Sequence, residues 1–304
     1  MPPVLAPLAV LILLHEAGHW IAAKRSGTWN QNPPPTPLYP DPQTTTPHTQ
    51  LTYLPPPSHT PDTHSPNQPG VKLGGFVPIL DPWFGYLGSL TQLQSYPPSR
   101  RALFDVAAAG PLLGSLASYA AFFAGLWLTK LGTPLPDATT FAPALPLQLL
   151  TSSTFLAEMT NAVLPGAFAV VDPENAALTL HPLALAGYWG VVFNALQLLP
   201  LGRLDGARMV EALLGKRTAA AASSFTFWGT VAAGLWQGRP DLFFAGLVVR
   251  FFWHRKAVPC QDEVMDVGGE RYFLGVAGLI LMLGAFIPAT DRFVGDATYL
   301  LNNL

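Results

Sequence analysis

Residues 4–23 read VLAPLAVLILLHEAGHWIAA, an apolar run of about the 20 residues that a bilayer-spanning helix requires. Three polar side chains, His15, Glu16 and His19, interrupt it. Lys24 and Arg25 mark its end, so His15 lies roughly 14 Å inward at 1.5 Å per residue. One charged group at a helix centre costs about 2.5–3.5 kcal/mol on insertion scales. Residues four apart share a helix face. His15 and His19 therefore present two imidazoles to one point, with Glu16 adjacent. That spacing is the one used to hold zinc, with the glutamate taking a proton from water at the metal. Plain packing into a helix bundle is the alternative, and it leaves the shared face of the two imidazoles unexplained.

Composition agrees with a bilayer solvent. Half of the 304 residues are hydrophobic and 11% are charged, with a mean hydropathy of +0.31; water-soluble chains carry about 25% charged residues. A net charge of −2 leaves no basic footprint for nucleic acid. Cys260 is the single cysteine, which excludes an intramolecular disulfide and a cysteine-based zinc site.

Further apolar runs suited to spanning are Ala102–Leu128, Leu183–Leu199, Thr218–Trp236, Leu242–Trp253 and Tyr272–Pro288. The expected fold is an all-α polytopic membrane protein of about six transmembrane segments, residues 1–304 forming one membrane-embedded domain. Residues 102–128 and 183–214 are its expected core helices. Basic residues cluster after the first run (Lys24, Arg25), before the second (Arg100, Arg101) and after the third (Arg203, Arg208, Lys216, Arg217). Because Lys and Arg stay on the cytoplasmic side or its equivalent, helices one and three run the same way and helix two returns. Residues 28–69 hold 13 of the 32 prolines and no hydrophobic period. Such a stretch cannot offset its ordering entropy by burial and reads as a disordered insertion. After it, residues 71–95 carry short apolar runs, with LGSLTQLQ at 87–94 alternating as a strand does. This is the expected small membrane-associated β element.

A catalytic zinc takes three protein ligands. His48, His59 and His64 fall in the Pro-rich stretch, His181 falls at the opposite membrane face, and His254 follows the weakest span. Asp205 is better placed. It lies in QLLPLGRLDG, 197–206, where helix three reaches the side of HEAGH, and Pro200 and Gly202 should open the helix there. An N-cap role for a helix over Gly206–Leu214 is the alternative, compatible with metal binding. Gly110 and Gly114 form a GxxxG spacing in the second run, read as a close helix contact.

HEAGHW with the downstream LLPLGRLDG resembles the site-2 protease family of intramembrane zinc proteases, nearest its plant and cyanobacterial EGY-type branch. Similar to that branch are Lys24-Arg25, Val71-Lys72-Leu73, Gly88–Gln92, Phe104–Gly114, HPLALAGYWG, LDGARMVEALLGK and PCQDEVMDVG. The resemblance implies a zinc metalloendopeptidase with one Zn2+ per chain, cleaving membrane proteins within or near a transmembrane helix. It makes Asp205 the third ligand beside His15 and His19, and Glu16 the catalytic base. It implies that the strand at Gly88, Ser89 and Leu90 pairs by its edge with an unwound substrate, and that Asn194 or Gln197 contacts substrate or an oxyanion. It also implies a plastid membrane (thylakoid or inner envelope) or a cyanobacterial one. Three features depart from the pattern. Gln197 stands where the family usually has Asn, and Asn194 is one turn earlier. Ala207 follows Gly206 where a second glycine is common. The chain starts almost at the HEAGH helix, for which a shortened gene model is the simplest account. The departures give the alternative expectation, a weakly active or inactive member acting as a membrane scaffold or chaperone.

Overall fold

The computed structural model describes residues 2–26, 71–81, 85–132, 143–168, 176–202, 204–236, 259–264 and 266–289. The Pro-rich stretch 28–69 and the expected span Leu242–Trp253 lie outside the described residues.

Three helices build the centre: α1 (Pro2–Ser26), α2 (Arg100–Lys130) and, later in the chain, α5 (Pro182–Gln197). Each start has a local cause. Ser99 caps α2, its hydroxyl accepting from the Ala102 amide. Pro182 at the first turn and the His181 ring, accepting from the Leu183 amide at 3.2 Å, start α5. Small residues bring α2 and α5 together, as membrane helix pairs require. A Cβ on Gly125 would meet Ala184, one on Gly187 would meet Phe122, and one on Gly190 would meet Ser118. Numbers rise on α2 as they fall on α5, so the pair is antiparallel. On α1, Leu11 lies beside Gly190 and His15 beside Asn194, so α1 runs parallel to α5. These are the relative directions expected from the placement of Lys and Arg.

Between α1 and α2, β1 (Leu73–Asp81) and β2 (Gly85–Leu93) form an antiparallel hairpin. β1 lies against α1 and β2 against α5, so the expected β element exists and sits beside the central helices. Between α2 and α5 come β3 (Ala144–Pro146), α3 (Leu147–Thr151), α4 (Thr154–Val163) and β4 (Ala177–Thr179), with β3 and β4 paired. No sequence period announced these short elements. They close one end of the bundle over a cluster of Leu145, Leu150, Leu156, Leu180, Phe122 and Leu126. At the other end α6 (Asp205–Leu214) and α7 (Lys216–Trp236) follow, and α8 (Gly269–Phe286) runs from there back to α4, where Ser153 and Thr154 donate to the Gly284 and Ile287 carbonyls. Around α6, Phe104, Leu198, Met209 and Met282 form a second cluster. Arg100 donates to the last carbonyls of α6, those of Ala212 and Leu213, at 2.8 and 2.9 Å. Arg271 grips Asp105 of α2 through two bonds of 2.7 and 2.8 Å.

Three of the six expected spans have counterparts here. Among the described residues three helices, Pro3–Ser26, Arg100–Lys130 and Gly269–Phe286, are long and apolar enough to cross a membrane. α5 has 16 residues, about 24 Å at 1.5 Å per residue, and packs against α1, α2 and α8. Its apolarity therefore serves protein contacts. α7 has the length but opens on Lys216 and Arg217 and carries Ser and Thr along its course. The outward faces suit lipid: Leu116 of α2 is 69% exposed and Phe273 of α8 is 80% exposed. Lys24 lies over the Trp20 ring, and Lys130 near the Trp127 ring, at the C-terminal ends of antiparallel helices. Aromatic and basic residues so paired mark the two membrane–water boundaries.

The α2–α5 seam is testable. A Cβ on Gly187 would stand 2.3 Å from the Phe122 amide nitrogen and 2.6 Å from its Cα, which backbone atoms cannot yield cheaply. Gly187→Val is expected to lower stability by about 1–3 kcal/mol or more, read as a lower thermal midpoint in detergent.

Candidate metal centre

The chemistry gathers where α1, α2, α5 and α6 meet. His15 and His19 are 0% and 1% exposed, and Asp205 is 4% exposed. His19 Nε2 lies 3.1 Å from Asp205 Oδ2 and 3.1 Å from His15 Nε2, and His15 Nε2 lies 3.6 Å from Asp205 Oδ2. These three residues bring one ligand atom each within 4.8 Å of one another, across 186 positions of chain from His19 to Asp205.

Asp205 reaches the histidines because the chain breaks as expected. α5 ends at Gln197, Gly202 takes φ +60°, and α6 begins at Asp205. Gly206 lets the new helix touch the old one, since a Cβ there would stand 1.9 Å from the Leu198 carbonyl oxygen. The capping alternative is corrected: Leu204 is the cap residue and makes no side-chain cap bond. The Asp205 carboxylate turns to the imidazoles instead, at a helix N-terminus that favours negative charge. Arg208, one turn on, approaches its other oxygen at 3.4 Å.

Each imidazole is held from behind. His19 Nδ1 lies 2.7 Å from the Val106 carbonyl, and His15 Nδ1 lies 2.9 Å from Asn194 Oδ1. The Asn194 amide nitrogen donates to the Gly190 carbonyl at 2.8 Å and faces Ser118 Oγ at 3.4 Å, which fixes Oδ1 toward His15. Two acceptors thus claim the Nδ1 protons. Both Nε2 lone pairs and a carboxylate oxygen are left converging on one point. Three acceptors at such distances repel unless a cation lies among them, and two imidazole nitrogens with one carboxylate oxygen form a catalytic zinc donor set. The residues fit a zinc ion. Partners that orient ligating histidines are worth about 10–100-fold in metal affinity. Asn194→Leu is accordingly expected to weaken zinc binding by about that factor in a chelator competition, while Asn194→Asp, which keeps an acceptor, retains most of it.

The second helix contributes more than its sequence disclosed. Gly110 and Gly114 do lie at a close approach, but the space they leave is filled by site side chains. A Cβ on Gly110 would stand 2.3 Å from His19 Nε2, and one on Gly114 would stand 2.2 Å from Asn194 Oδ1. Sequence reasoning missed the Val106 carbonyl, Ser118 and Arg208; the GPxxG pattern was the one visible signal for this wall. Glu16 follows His15 on α1 and is half-buried, outside the convergent trio. Gln197 is buried one turn beyond Asn194. Asn194 points both ends of its amide at protein groups, so its place is behind His15. Gly88, Ser89 and Leu90 lie in β2 opposite Ile79, Pro78 and Val77. His181 stands at the far end of α5 as its cap. Burial pushes the Cys260 thiol up to about 11, aided by Glu211 and Glu263, so it offers no thiolate at neutral pH.

Residues 66–232 match the sequence model of Peptidase family M50, more than half the chain. The match includes Asn194, Gln197 and Asp205; HEAGH precedes it, across the Pro-rich stretch. Over 228 residues the chain is 31% identical to "Probable zinc metalloprotease EGY1, chloroplastic" of Oryza sativa subsp. japonica, covering 74% of this chain and 37% of that protein. It is 34% identical over 227 residues to "Probable zinc metalloprotease EGY3, chloroplastic" of the same subspecies, covering 72% and 38%. Identity to the Arabidopsis thaliana protein named "Probable zinc metalloprotease EGY1, chloroplastic" is 30% over 232 residues, covering 76% and 40%. The chain thus spans about two-fifths of the length of these relatives. No solved structure matches it at a significant level. By the extent of the family match, and with HEAGH and Asp205 meeting in space, the chain belongs to Peptidase family M50.

Proposed function

We propose that the chain is a zinc-dependent intramembrane endopeptidase of a plastid membrane, cleaving membrane proteins within or near a transmembrane helix. His15, His19 and Asp205 hold the zinc, and Glu16 is the catalytic base. The observation that carries this reading is the convergence of three buried lone-pair donors inside a bundle of apolar helices. When bound, zinc supplies a Lewis acid that acidifies water and polarises a carbonyl. Glu16 takes the proton of the attacking water and returns it to the leaving amine. Asn194 and the Val106 carbonyl keep the imidazoles aimed and in the correct tautomer. Arg208 steadies the Asp205 carboxylate.

A helical substrate hides its carbonyls in internal hydrogen bonds and must unwind to be cut. The hairpin offers a template for that. Of its two strands β1 contains Pro78, which lacks an amide donor, so β2, with Gly88, Ser89 and Leu90, has the more complete edge for a substrate strand. Its position against α5 supports this use. The relatives' printed names support the plastid location.

The test is cleavage of a purified single-span substrate by the purified chain in detergent or bilayer. Cleavage is expected, lost with a zinc chelator and restored by added zinc. A chain that binds zinc stoichiometrically yet leaves every single-span substrate intact would instead support the scaffold reading.

A further inference from the structure

The chain turns back on itself between α6 and α7. Gly215, the residue between them, takes φ +86°, a conformation that side chains rarely permit, and α7 packs against α6. At 1.5 Å per residue, Asp205 lies about 15 Å along α6 from Gly215 and Ser223 about 12 Å along α7. Ser223 is thus level with the first turn of α6, the turn that carries the third donor of the metal centre.

The Ser223 hydroxyl serves a different purpose from its counterparts in other helices. Those of Ser118, Thr129 and Thr160 donate to the carbonyl four residues back on their own helices. Ser223 Oγ accepts the Gly202 amide at 2.8 Å. Gly202 is the φ +60° turn through which the chain enters α6, three residues before Asp205. Nearby amides bond within that connection, Leu201 to the Leu199 carbonyl and Leu204 to the Leu201 carbonyl, and Pro200 has no amide to give. Among the described residues of the connection, Gly202 is the one whose amide bonds to another helix.

That tie works against a load. The Asp205 carboxylate lies 3.6 and 3.1 Å from the Nε2 atoms of His15 and His19. Whenever no cation lies among these acceptors, their repulsion pushes the start of α6 away. Arg208 and the close seat of Gly206 on Leu198 resist it from within α6 and its approach. Ser223 resists it from α7.

We infer that Ser223 is a positioning residue of the metal centre. By fixing the Gly202 turn it keeps Asp205 aimed at the two histidines before zinc binds, and through it α7 acts on a site that it does not touch with a ligand. The inference rests on the zinc reading of His15, His19 and Asp205.

The full chain, purified in detergent and stripped of metal, would be titrated with zinc against a chelator and with cobalt by visible absorption. One hydrogen bond of this kind is worth roughly two- to tenfold in an equilibrium constant. Ser223→Ala and Ser223→Val should bind zinc weaker by about that factor. Both should also shift the cobalt absorption, which a loss of stability alone would not move. Ser223→Thr has the shape of valine but keeps the hydroxyl, and should stay near the unmodified chain. Ser224→Ala, one residue on and exposed, should do the same. Unchanged zinc affinity and cobalt absorption in Ser223→Ala overturn the inference. So does a Ser223→Thr chain as weak as Ser223→Val, because the hydroxyl would then not be the operative group. An equal fall in Ser224→Ala overturns it too, by showing a general effect of α7. An unmodified chain that takes up no zinc would instead sink the zinc reading, and this inference with it.

Discussion

Glu16→Gln is expected to abolish cleavage of a single-span substrate and to leave the zinc content of the purified chain unchanged. The two effects separate because Glu16 stands outside the trio of converging atoms, His15, His19 and Asp205. Glutamine has nearly the same shape but cannot accept the proton of an attacking water. General-base catalysis is worth about 10²- to 10⁴-fold, so residual cleavage should fall to that extent or below detection. Asp205→Ala should behave differently, losing metal and activity together, because the third donor goes. Normal turnover in Glu16→Gln would remove Glu16 from the mechanism. A loss of zinc in the same variant would mean that it is a ligand.

How much of this site the sequence disclosed depended on the range of each interaction. HEAGH was legible because its geometry is local: His15 and His19 are four apart on one helix, whatever surrounds them. Asp205 was legible at long range through chain chemistry, since Pro200 and Gly202 announced the break that frees it, and through the resemblance, which made it the third ligand. Even so its side chain could be read two ways. Only the structure, with the carboxylate 3.1 Å from His19 Nε2 and no cap bond at Leu204, decides between them. The Val106 carbonyl was illegible because a backbone oxygen carries no signature of its own. α3, α4 and the β3–β4 pair were illegible for another reason: none is longer than ten residues, and their apolar positions are fixed by the cluster they cover. The three expected spans matched among the described residues are α1, α2 and α8; at α5 and α7 apolar composition records burial without saying whether protein or lipid does the burying.

The division of labour among the helices follows from the same facts. α1 supplies two of the three converging donors and the proposed base. α5 supplies the group behind one of them, and α6 supplies the third donor from a helix start. α2 contributes no ligating side chain, yet it touches every part of the centre: Val106 at His19, Gly110 under the His19 ring, Gly114 under Asn194 and Ser118 beside it. A helix in that role is replaceable in chemistry but not in shape.

Gly110→Ala tests that role with the smallest change possible. The added Cβ would stand 2.3 Å from His19 Nε2, 2.5 Å from Cε1 and 2.7 Å from Cδ2, distances no carbon can keep. The ring must tilt. It is tied at Nδ1 to the Val106 carbonyl at 2.7 Å, so tilting either breaks that bond or swings Nε2 away from Asp205 and His15. Both outcomes open the donor set, and zinc affinity should fall about 10- to 100-fold or more, as when a ligand loses its orienting partner. The fold should survive, because alanine is favoured over glycine in a helix by about 0.8–1.0 kcal/mol and the displaced group is a side chain. Gly229→Ala on α7, where an added Cβ meets nothing within 4 Å, should leave both affinity and thermal midpoint unharmed. Cobalt in place of zinc gives the decisive readout, since its visible absorption reports ligand geometry directly. A Gly110→Ala chain with unchanged cobalt absorption and unchanged zinc affinity would mean that α2 does not shape the metal centre.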